Sequence, residues 1–536
     1  WTPEIDSDTN KPIELKDRYG NQIVASPVKV MKWQKKYVMD ASYRYSTPLL
    51  LQLEEGENVI ELTLTEGSLM IGNIYLDAGP EYEEVKTSNS AEGNSDIITA
   101  QGEDSLYKND SSIRATCEYD PGLSPYDAKK KVLNMIDDAS FVDAGQSLTY
   151  SFDVKEAGYY YLAFNYRQTG RIDMPVFMDI VIDKQLFITD DQKSATNDRL
   201  TSYPFDYVKS FKNMTVTDAD GKKMAIYFEA GTHTITTTIS NEHIRSTLQV
   251  IDQVMSEIND LSLEVSRVSS TTDKYRDIKI TDYVPDIEKR LARWIDSLKK
   301  QYDELAEYST EDGNIGALSA LNLAIEKLES LAEEPNKIPY RIKELSTSSS
   351  SANQYLANLI TDLTKNSISF DRIYLYQEGK ELPGKASIFS KIWGAILRFL
   401  SSFDSQSYSV DNSDDSHLQV WINRPRQYLE IIQRMIDTEF TAKTGIQVDL
   451  SIMPDAQKLI LSNAAGTSPD VAQAVDYALP IEFALRDAAV DLTKFDGAKE
   501  LMELFPAGLF VPSTMNNGIY SIPETFYFLS HKPLVP

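Results

Sequence analysis

Leu418-Gln-Val-Trp-Ile-Asn-Arg-Pro-Arg426, with Thr444-Gly-Ile-Gln-Val-Asp-Leu-Ser-Ile452 and Ala465-Gly-Thr-Ser-Pro-Asp-Val471 after it, carries the pattern from which the fold class is most directly read. Leu418, Val420 and Ile422 are apolar at every second position, and Ile446, Val448, Leu450 and Ile452 repeat that period, which is the pattern of two strands. Between them Tyr428, Ile431, Ile432, Met435, Ile436 and Phe440 fall on one helical face, with Pro425 at the first turn and Gly445 just past the end. Strand, helix, strand in this order seeds a parallel sheet. In such sheets ligands lie beyond the carboxyl ends of the strands. That rule selects Asn423, Arg424 and Arg426, the loop from Asp470 to Asp476 and Tyr477, and the stretch from Tyr520 to Tyr527. The plainer alternative at each position is structural: Asp470 caps a helix or fixes its loop, and Pro523 shapes a turn.

At ~100–200 residues per domain, 536 residues imply several domains. Hydrophobic content of 42% and aromatic content of 10% supply packed cores and exclude wholesale disorder. The formal charge of −28 opposes nucleic-acid binding, which rests on cations that neutralise phosphates. Neutral sugars suit such a surface, and acidic polymers such as uronans would need a local Arg/Lys patch to override the field. The one cysteine, Cys117, excludes an internal disulfide and reads as a small packed hydrophobe rather than a nucleophile. No apolar run approaches the ~20 residues that cross a bilayer. The sequence carries no Ser-His-Asp signature, phosphate-cradling glycine loop or Cys/His metal cluster. Carboxylates are abundant, but glycosidic chemistry needs two at a set separation around a cleft. The expectation is a binding protein and not an enzyme.

Upstream, Pro48-Leu-Leu-Leu-Gln-Leu53, the turn Glu54-Glu-Gly-Glu-Asn58, Val59-Ile-Glu-Leu-Thr-Leu64 and Met70-Ile-Gly-Asn-Ile-Tyr-Leu76 read as strand, turn, strand and third strand. Ala225-Ile-Tyr-Phe-Glu-Ala-Gly-Thr-His-Thr-Ile235 repeats the hairpin, with Gly231 matching Gly56 and Ile235 matching Ile60. Its closing strand arrives only at Ser369-Phe-Asp-Arg-Ile-Tyr-Leu375, so the residues between look inserted. They carry four helical stripes: Ile244, Leu248, Ile251, Met255, Ile258 and Val265; Ile287, Leu291, Trp294, Ile295, Leu298, Tyr302 and Leu305; Leu318, Leu321, Ile325 and Leu328; and a less regular set from Ile342 to Leu363 around a serine-rich break. Stripes this apolar pack together, and a bundle is the economical solution. Ahead of the second copy, residues 146–152, 159–166 and 175–182 read as strands. Behind it, Ile388, Phe389, Ile392, Trp393, Ile396 and Phe399 share one face of a segment flanked by Lys385, Lys391 and Arg398. That face suits packing between domains or, less simply, a membrane surface.

These residues carry two resemblances. From Leu418 to Tyr527 the chain resembles the first lobe of the extracellular solute-binding proteins of bacterial carbohydrate ABC importers. The marks are V-W-x-N-R at the strand end, F-x-x-x-T-G-I-x-V at Phe440, A-G-x-x-P-D-V at Ala465, A-x-x-D-L at Ala488 and G-I-Y-x-I-P-E-T at Gly518. From Ile97 to Leu375, with the helices removed, it resembles galactose-binding-like, jelly-roll carbohydrate-binding modules. This likeness is carried by V-x-x-A-G-Y-Y-Y-L-A-F-N-Y at Val154, D-I-V-I-D at Asp179 and F-E-A-G-T-H-T-I at Phe228.

The implied architecture is multidomain α+β: jelly-roll-like β-sandwich modules, an inserted helical bundle and an incomplete α/β periplasmic-binding-protein-like lobe. Its expected limits are residues 1–80 for the end of one sandwich, 81–240 plus 367–380 for a second, 241–366 for the bundle, 381–416 for the amphipathic segment and linker, and 417–536 for a truncated lobe. The resemblance implies Asn423, Arg424, Asp476, Tyr477, Tyr520, Glu524 and Tyr527 as sugar-binding residues, and Glu103 and Asp104 as ligands of a structural calcium. It further implies oligosaccharide capture for ABC-transporter uptake, with permease subunits as membrane partners and an extracellular, lipid-anchored location at the cell surface. The chain itself would be a fragment, its one lobe unable to close on a ligand. A surface polysaccharide adhesin or scaffold ranks second and a glycoside hydrolase third.

Overall fold

The computed structural model describes residues 1–5, 12–16, 20–65, 67–77, 86–170, 174–183, 198–269, 278–308, 316–404, 416–453 and 456–524. They divide into two units, residues 1–15 with 22–394 and residues 16–21 with 395–536.

The first unit contains β1 (Ile98–Gln101), β2 (Tyr107–Lys108), β3 (Ser147–Val154), β4 (Gly158–Gln168), β5 (Val176–Ile182), β6 (Asp198–Phe205), β7 (Val208–Thr215), β8 (Ala225–Phe228), β9 (Gly231–Ile239) and β10 (Ile368–Tyr376). One sheet runs β6-β5-β9-β3-β2; in the other, β8, β4, β10 and β1 are consecutive and β7 also pairs with β4. The pairs within these sheets are antiparallel. Alternation decides which residues fill the space between the sheets: Leu162, Phe164 and Tyr166 of β4 meet Phe370, Ile373 and Leu375 of β10 and Phe205 of β6 in one buried core. Asp371 sits where the β4–β10 register shifts, a bulge that leaves its carboxyl wholly buried. Cys117 is only partly buried, so the packed-hydrophobe reading holds in part.

The interruption between β9 and β10 is helical, as the stripes require. Helices α1 (Arg245–Val268), α2 (Ile287–Ala306), α3 (Gly316–Ala332) and α4 (Ala352–Thr364) bury Leu248, Ile251, Leu291, Trp294, Leu321, Leu328, Leu356 and Leu359 in a common core. Met174 and Phe177 from the sandwich join that core, so the bundle is packed onto its host. Trp294 keeps its polar handle satisfied by donating from Nε1 to Glu257 at 2.6 Å. At the base of the insertion the Asn366 side-chain amide donates to Asn241 Oδ1 at 3.2 Å, a buried bond between the two ends.

The first copy of the hairpin departs from expectation. Its turn forms: the Glu54 N–H donates to Asn58 Oδ1, Asn58 Nδ2 returns a bond to the Glu54 carbonyl, and Gly56 takes φ +118°. Its flanks make no ladder among the described residues 48–65 and 67–77. Leu50 is 84% exposed and Val59 86%. The physical reason is that a two-stranded pattern needs a second layer to cover its apolar face, and the described residues supply none that buries these side chains.

In the second unit β11 (Leu418–Ile422) lies between β12 (Val448–Ile452) and β13 (Val471–Gln473), all parallel, in the order β12-β11-β13. In sequence between the sandwich and this sheet, α5 (Ile388–Asp404) leaves Ile388, Phe389, Ile392, Trp393, Ile396 and Phe399 exposed. Helix α6 (Arg426–Met435) starts after Pro425, and the chain leaves a later turn through Gly445 at φ +75°. Its buried side differs from the expected stripe: Leu429, Ile432 and Ile436 face the sheet, whereas Tyr428, Ile431, Met435 and Phe440 are exposed. The apolar arc of this helix is wider than the face the sheet covers. Among the described residues no helix is long and apolar enough to cross a membrane.

Candidate functional site

The strand order β12-β11-β13 changes direction beside β11, because chain that leaves β11 reaches β12 on one side and β13 on the other. The crevice between the carboxyl ends of β11 and β13 is therefore the place where such a sheet admits a ligand. Asn423 and Arg424 come directly after β11, and Asp476 and Tyr477 come after β13. The Asn423 N–H donates to the Gln473 carbonyl at 3.1 Å, extending the β11–β13 pairing to the rim and leaving the Asn423 side chain exposed. Trp421 points away from the rim into a core with Met453, Leu459 and Leu479, with the Lys458 ammonium 5.6 Å from its ring. The tryptophan of this motif is thus structural.

Two of the expected residues meet. Arg424 Nη2 lies 3.3 Å from Glu524 Oε1, an ion pair about one-third exposed on each side and joining residues 100 positions apart. Exposed pairs of this kind contribute ~0–1 kcal/mol to stability, so the pairing is better suited to orienting two planar groups than to holding the fold. Tyr477 is 76% exposed, an aromatic face open for contact. Asp476 has local work: its carboxylate accepts from the Ala478 N–H at 3.0 Å and its carbonyl from the Leu479 N–H at 3.1 Å, turning the chain into α8 (Leu479–Ala484), the helix that follows α7 (Ala456–Ala465). Tyr520 is half-buried and bonded through its backbone to Ser513 at 3.0 Å. Tyr527 lies outside the described residues.

Two sequence motifs prove to be one structural joint. Asp491, of the A-x-x-D-L motif, accepts from Thr493 N at 3.0 Å, Thr493 Oγ1 at 2.7 Å and Ile519 N at 3.2 Å. The Thr493 hydroxyl bond leads the donors that hold its carboxyl below the usual range. A Cβ at Gly518 would stand 2.9 Å from that carboxyl, so the glycine of G-I-Y permits the approach. Asp470 is likewise structural, bonding both ways to the Gln419 backbone, at 2.8 Å through its side chain and 3.0 Å through its N–H.

In the first unit, Glu103 and Asp104 part company. Asp104 is exposed, while Glu103 Oε2 is buried without a hydrogen-bond partner. Burial, reinforced by the Asp104 and Asp371 charges, pushes the Glu103 carboxyl up to about 9. Gln101 Oε1, two residues earlier, is a second buried oxygen with no donor. Asp371 accepts from Ser124 N at 3.0 Å and Arg372 Nε at 2.7 Å, and its carbonyl takes the Gly102 N–H at 2.6 Å. Among the described residues no group of three or more His, Cys, Asp or Glu side chains could hold a metal. The two orphaned oxygens, one of a carboxyl and one of an amide, are of the chemical type that calcium takes. Gln101 and Asp371 were not selected from the sequence because only the β1–β10 pairing brings them together.

The model of the four-helix-bundle domain of bacterial solute-binding proteins matches residues 246–363. A search of curated proteins returns no match. Among solved structures, a cycloisomaltooligosaccharide glucanotransferase of a Paenibacillus species is similar at 19% identity over 30% of this chain, with a TM-score of 0.18. The present chain spans 17% of that enzyme. A family 35 carbohydrate binding module from Clostridium thermocellum is similar at 11% identity over 27% of this chain and 87% of its own, with a TM-score of 0.19. A GH26-CBM35 β-(1,4)-mannanase of Podospora anserina is similar at 10% identity over 77% of this chain and 59% of its own, also at 0.19. Scores this low leave the assignment of function to the chain's own geometry and to the bundle match.

Proposed function

We propose that this chain captures a neutral oligosaccharide without chemical turnover, as part of an extracellular solute-binding component that delivers sugar to a membrane ABC permease. The observation that carries this reading is the rim at the carboxyl end of the parallel sheet, where Asn423 and the Arg424–Glu524 pair follow β11 and the exposed Tyr477 follows β13, so that an amide, a guanidinium, a carboxylate and an aromatic ring are on offer. Sugars are held by flat rings against their C–H faces and by planar groups that bond paired hydroxyls. The bundle match at residues 246–363 supports solute binding, and a charge of −28 favours an uncharged ligand over a polyanion. We place the protein outside the cell, with lipid anchoring as the means of retention. A structural calcium held by Glu103 and Gln101 would neutralise the buried carboxyl at the end of β1.

Isothermal titration with neutral oligosaccharides, with a reducing-end assay run in parallel, tests the proposal. Binding without product, weakened in Arg424→Ala and Tyr477→Ala, is the expected result. Release of reducing ends would overturn it in favour of a glycosidase.

A further inference from the structure

Helix α5 turns its apolar side away from the sandwich that carries it. Ser387 starts the helix, its Oγ accepting from Ser390 N at 3.1 Å. Ile388, Phe389, Ile392, Trp393, Ile396 and Phe399 are 43% to 86% exposed, and at 3.6 residues per turn they fall within about 140° of the circumference. We infer that this face is a membrane-binding surface, on which α5 lies in the plane of a bilayer that contains anionic phospholipid.

The sandwich holds α5 by the opposite side. Gly394 is buried, about opposite the middle of the apolar arc, and a Cβ there would run into the Tyr126 hydroxyl. One turn earlier Lys391 Nζ pairs with Asp120 at 2.7 Å. The residues leading into the helix are tied to β7: the Pro383 carbonyl accepts from Asn213 Nδ2 at 2.8 Å, and Lys385 donates to Ser210 Oγ at 3.1 Å. This seat is made of small and polar groups. The six large apolar side chains stay outside it, held outward by a helix that is itself fixed.

Charge and composition decide what covers the face. From residue 382 to residue 403 the ionisable side chains are Lys385, Lys391 and Arg398, with no acid, in a chain whose formal charge is −28. Charges farther away than ~8–10 Å are largely screened at physiological salt, so an approaching surface meets these cations rather than the distant acids. Lys385 and Arg398 are exposed and bracket the arc along the helix, where ammonium and guanidinium reach phosphate while their aliphatic stems lie along the acyl boundary. A tryptophan and two phenylalanines among isoleucines, with cations beside them, is the composition of helices that lie in a membrane interface. A second copy of the chain is a poorer occupant, because a two-fold contact over α5 would set these cations against their own counterparts. Among the described residues no helix is long and apolar enough to cross a membrane, and α5, 17 residues and ~25 Å long, lies along the surface instead. Such a surface is independent of the sugar reading and would hold the sandwich against the bilayer.

Flotation of the intact chain with vesicles of phosphatidylcholine and phosphatidylglycerol, and with vesicles of phosphatidylcholine alone, tests it. The chain should float with the anionic vesicles, and less so as salt is raised. Phe389→Asp and Trp393→Asp should each weaken this partition about tenfold or more. Both residues are exposed, so these variants keep the fold, and Lys385→Glu, which leaves the apolar face intact, should weaken binding to the anionic vesicles alone. Leu263→Asp, at an exposed apolar residue of α1, should float as the wild type does. No flotation of the wild type, or equal flotation of the wild type and the two α5 variants, overturns the assignment. So does a wild-type dimer in sedimentation that the α5 variants dissociate and that ignores vesicles, which would give the face to a second copy.

Discussion

Residues 48–76 and the strands β8, β9 and β10 share one pattern of apolar alternation around a glycine with positive φ, +118° at Gly56 and +146° at Gly231, although β8 and β9 do not close the hairpin that the pattern predicts: β8 and β10 lie in one sheet and β9 in the other. Their fates differ. In the second copy β9 is paired on both sides and β10 is buried along its whole length. In the first, the turn closes but Leu50, Val59, Leu62 and Met70 face solvent. Alternation is thus a demand for a covering layer and not a sufficient cause of a strand. A local turn needs only its own residues; a ladder needs a neighbour.

The largest contrast should come from emptying equivalent positions in the two copies. Phe370→Ala removes a ring buried at 0% exposure and should cost about 3–5 kcal/mol, seen as loss of the sandwich transition in calorimetry. Ile71→Ala, at 54% exposure, should change stability by less than about 0.5 kcal/mol. Equal effects would show that the first copy is packed in solution.

Next in size is the buried carboxyl beside β10. The Glu103 pKa is raised to about 9 from 4.5 by burial first, so the stability it contributes is full below pH 4.5 and is lost as pH rises through about 9. Glu103→Gln should therefore melt higher than the wild type at pH 8 in chelator. Calcium should raise the wild-type melting temperature and leave the variant unmoved; a wild type indifferent to calcium would remove the metal from the proposal.

A smaller contrast concerns the turns. Gly231→Ala meets no neighbouring atom within 4 Å and is strained by its φ alone, which should cost about 1 kcal/mol through β9. Gly56→Ala has the same strain but no ladder to lose, and its melting curve should match the wild type. A similarly small stability effect is expected at Arg424→Ala, within ~0.5 kcal/mol because the pair with Glu524 is a third exposed; a sugar titration, and not a melt, should register this variant.

Much of the architecture was legible because its signals are local. The four helical stripes map onto α1 to α4 and their connections, and Pro425 and Gly445 delimit the helical stretch between β11 and β12 as a proline start and a left-handed glycine stop require. The features that stayed hidden depended on partners. Leu429 is wholly buried while Tyr428 and Ile431 are not, because the sheet covers only part of a broad apolar arc, and a π turn at Ile436–Phe440 shifts the helical phase of the residues beyond it. At the sites, Arg424 and Glu524 were chosen separately and the fold paired them. Trp421 and Asp470 were absorbed by packing and by the Gln419 backbone.

The placement of the bundle between β9 and β10 bears on how the chain is made. β10 is an interior strand, paired to both β4 and β1, yet it leaves the ribosome only after the helices from Arg245 to Thr364. During synthesis the sandwich stands open along its middle, with the apolar rows of β4 lacking their neighbour. The helices are rich in local contacts and fold fast, whereas sheet closure across the gap is slow by its long sequence separation. Once folded, the bundle brings Asn241 and Asn366 within one hydrogen bond, replacing a long floppy loop by a rigid hinge pin and removing most of the closure entropy. The inserted helices thus act as an internal assembly jig for the sheet that surrounds them.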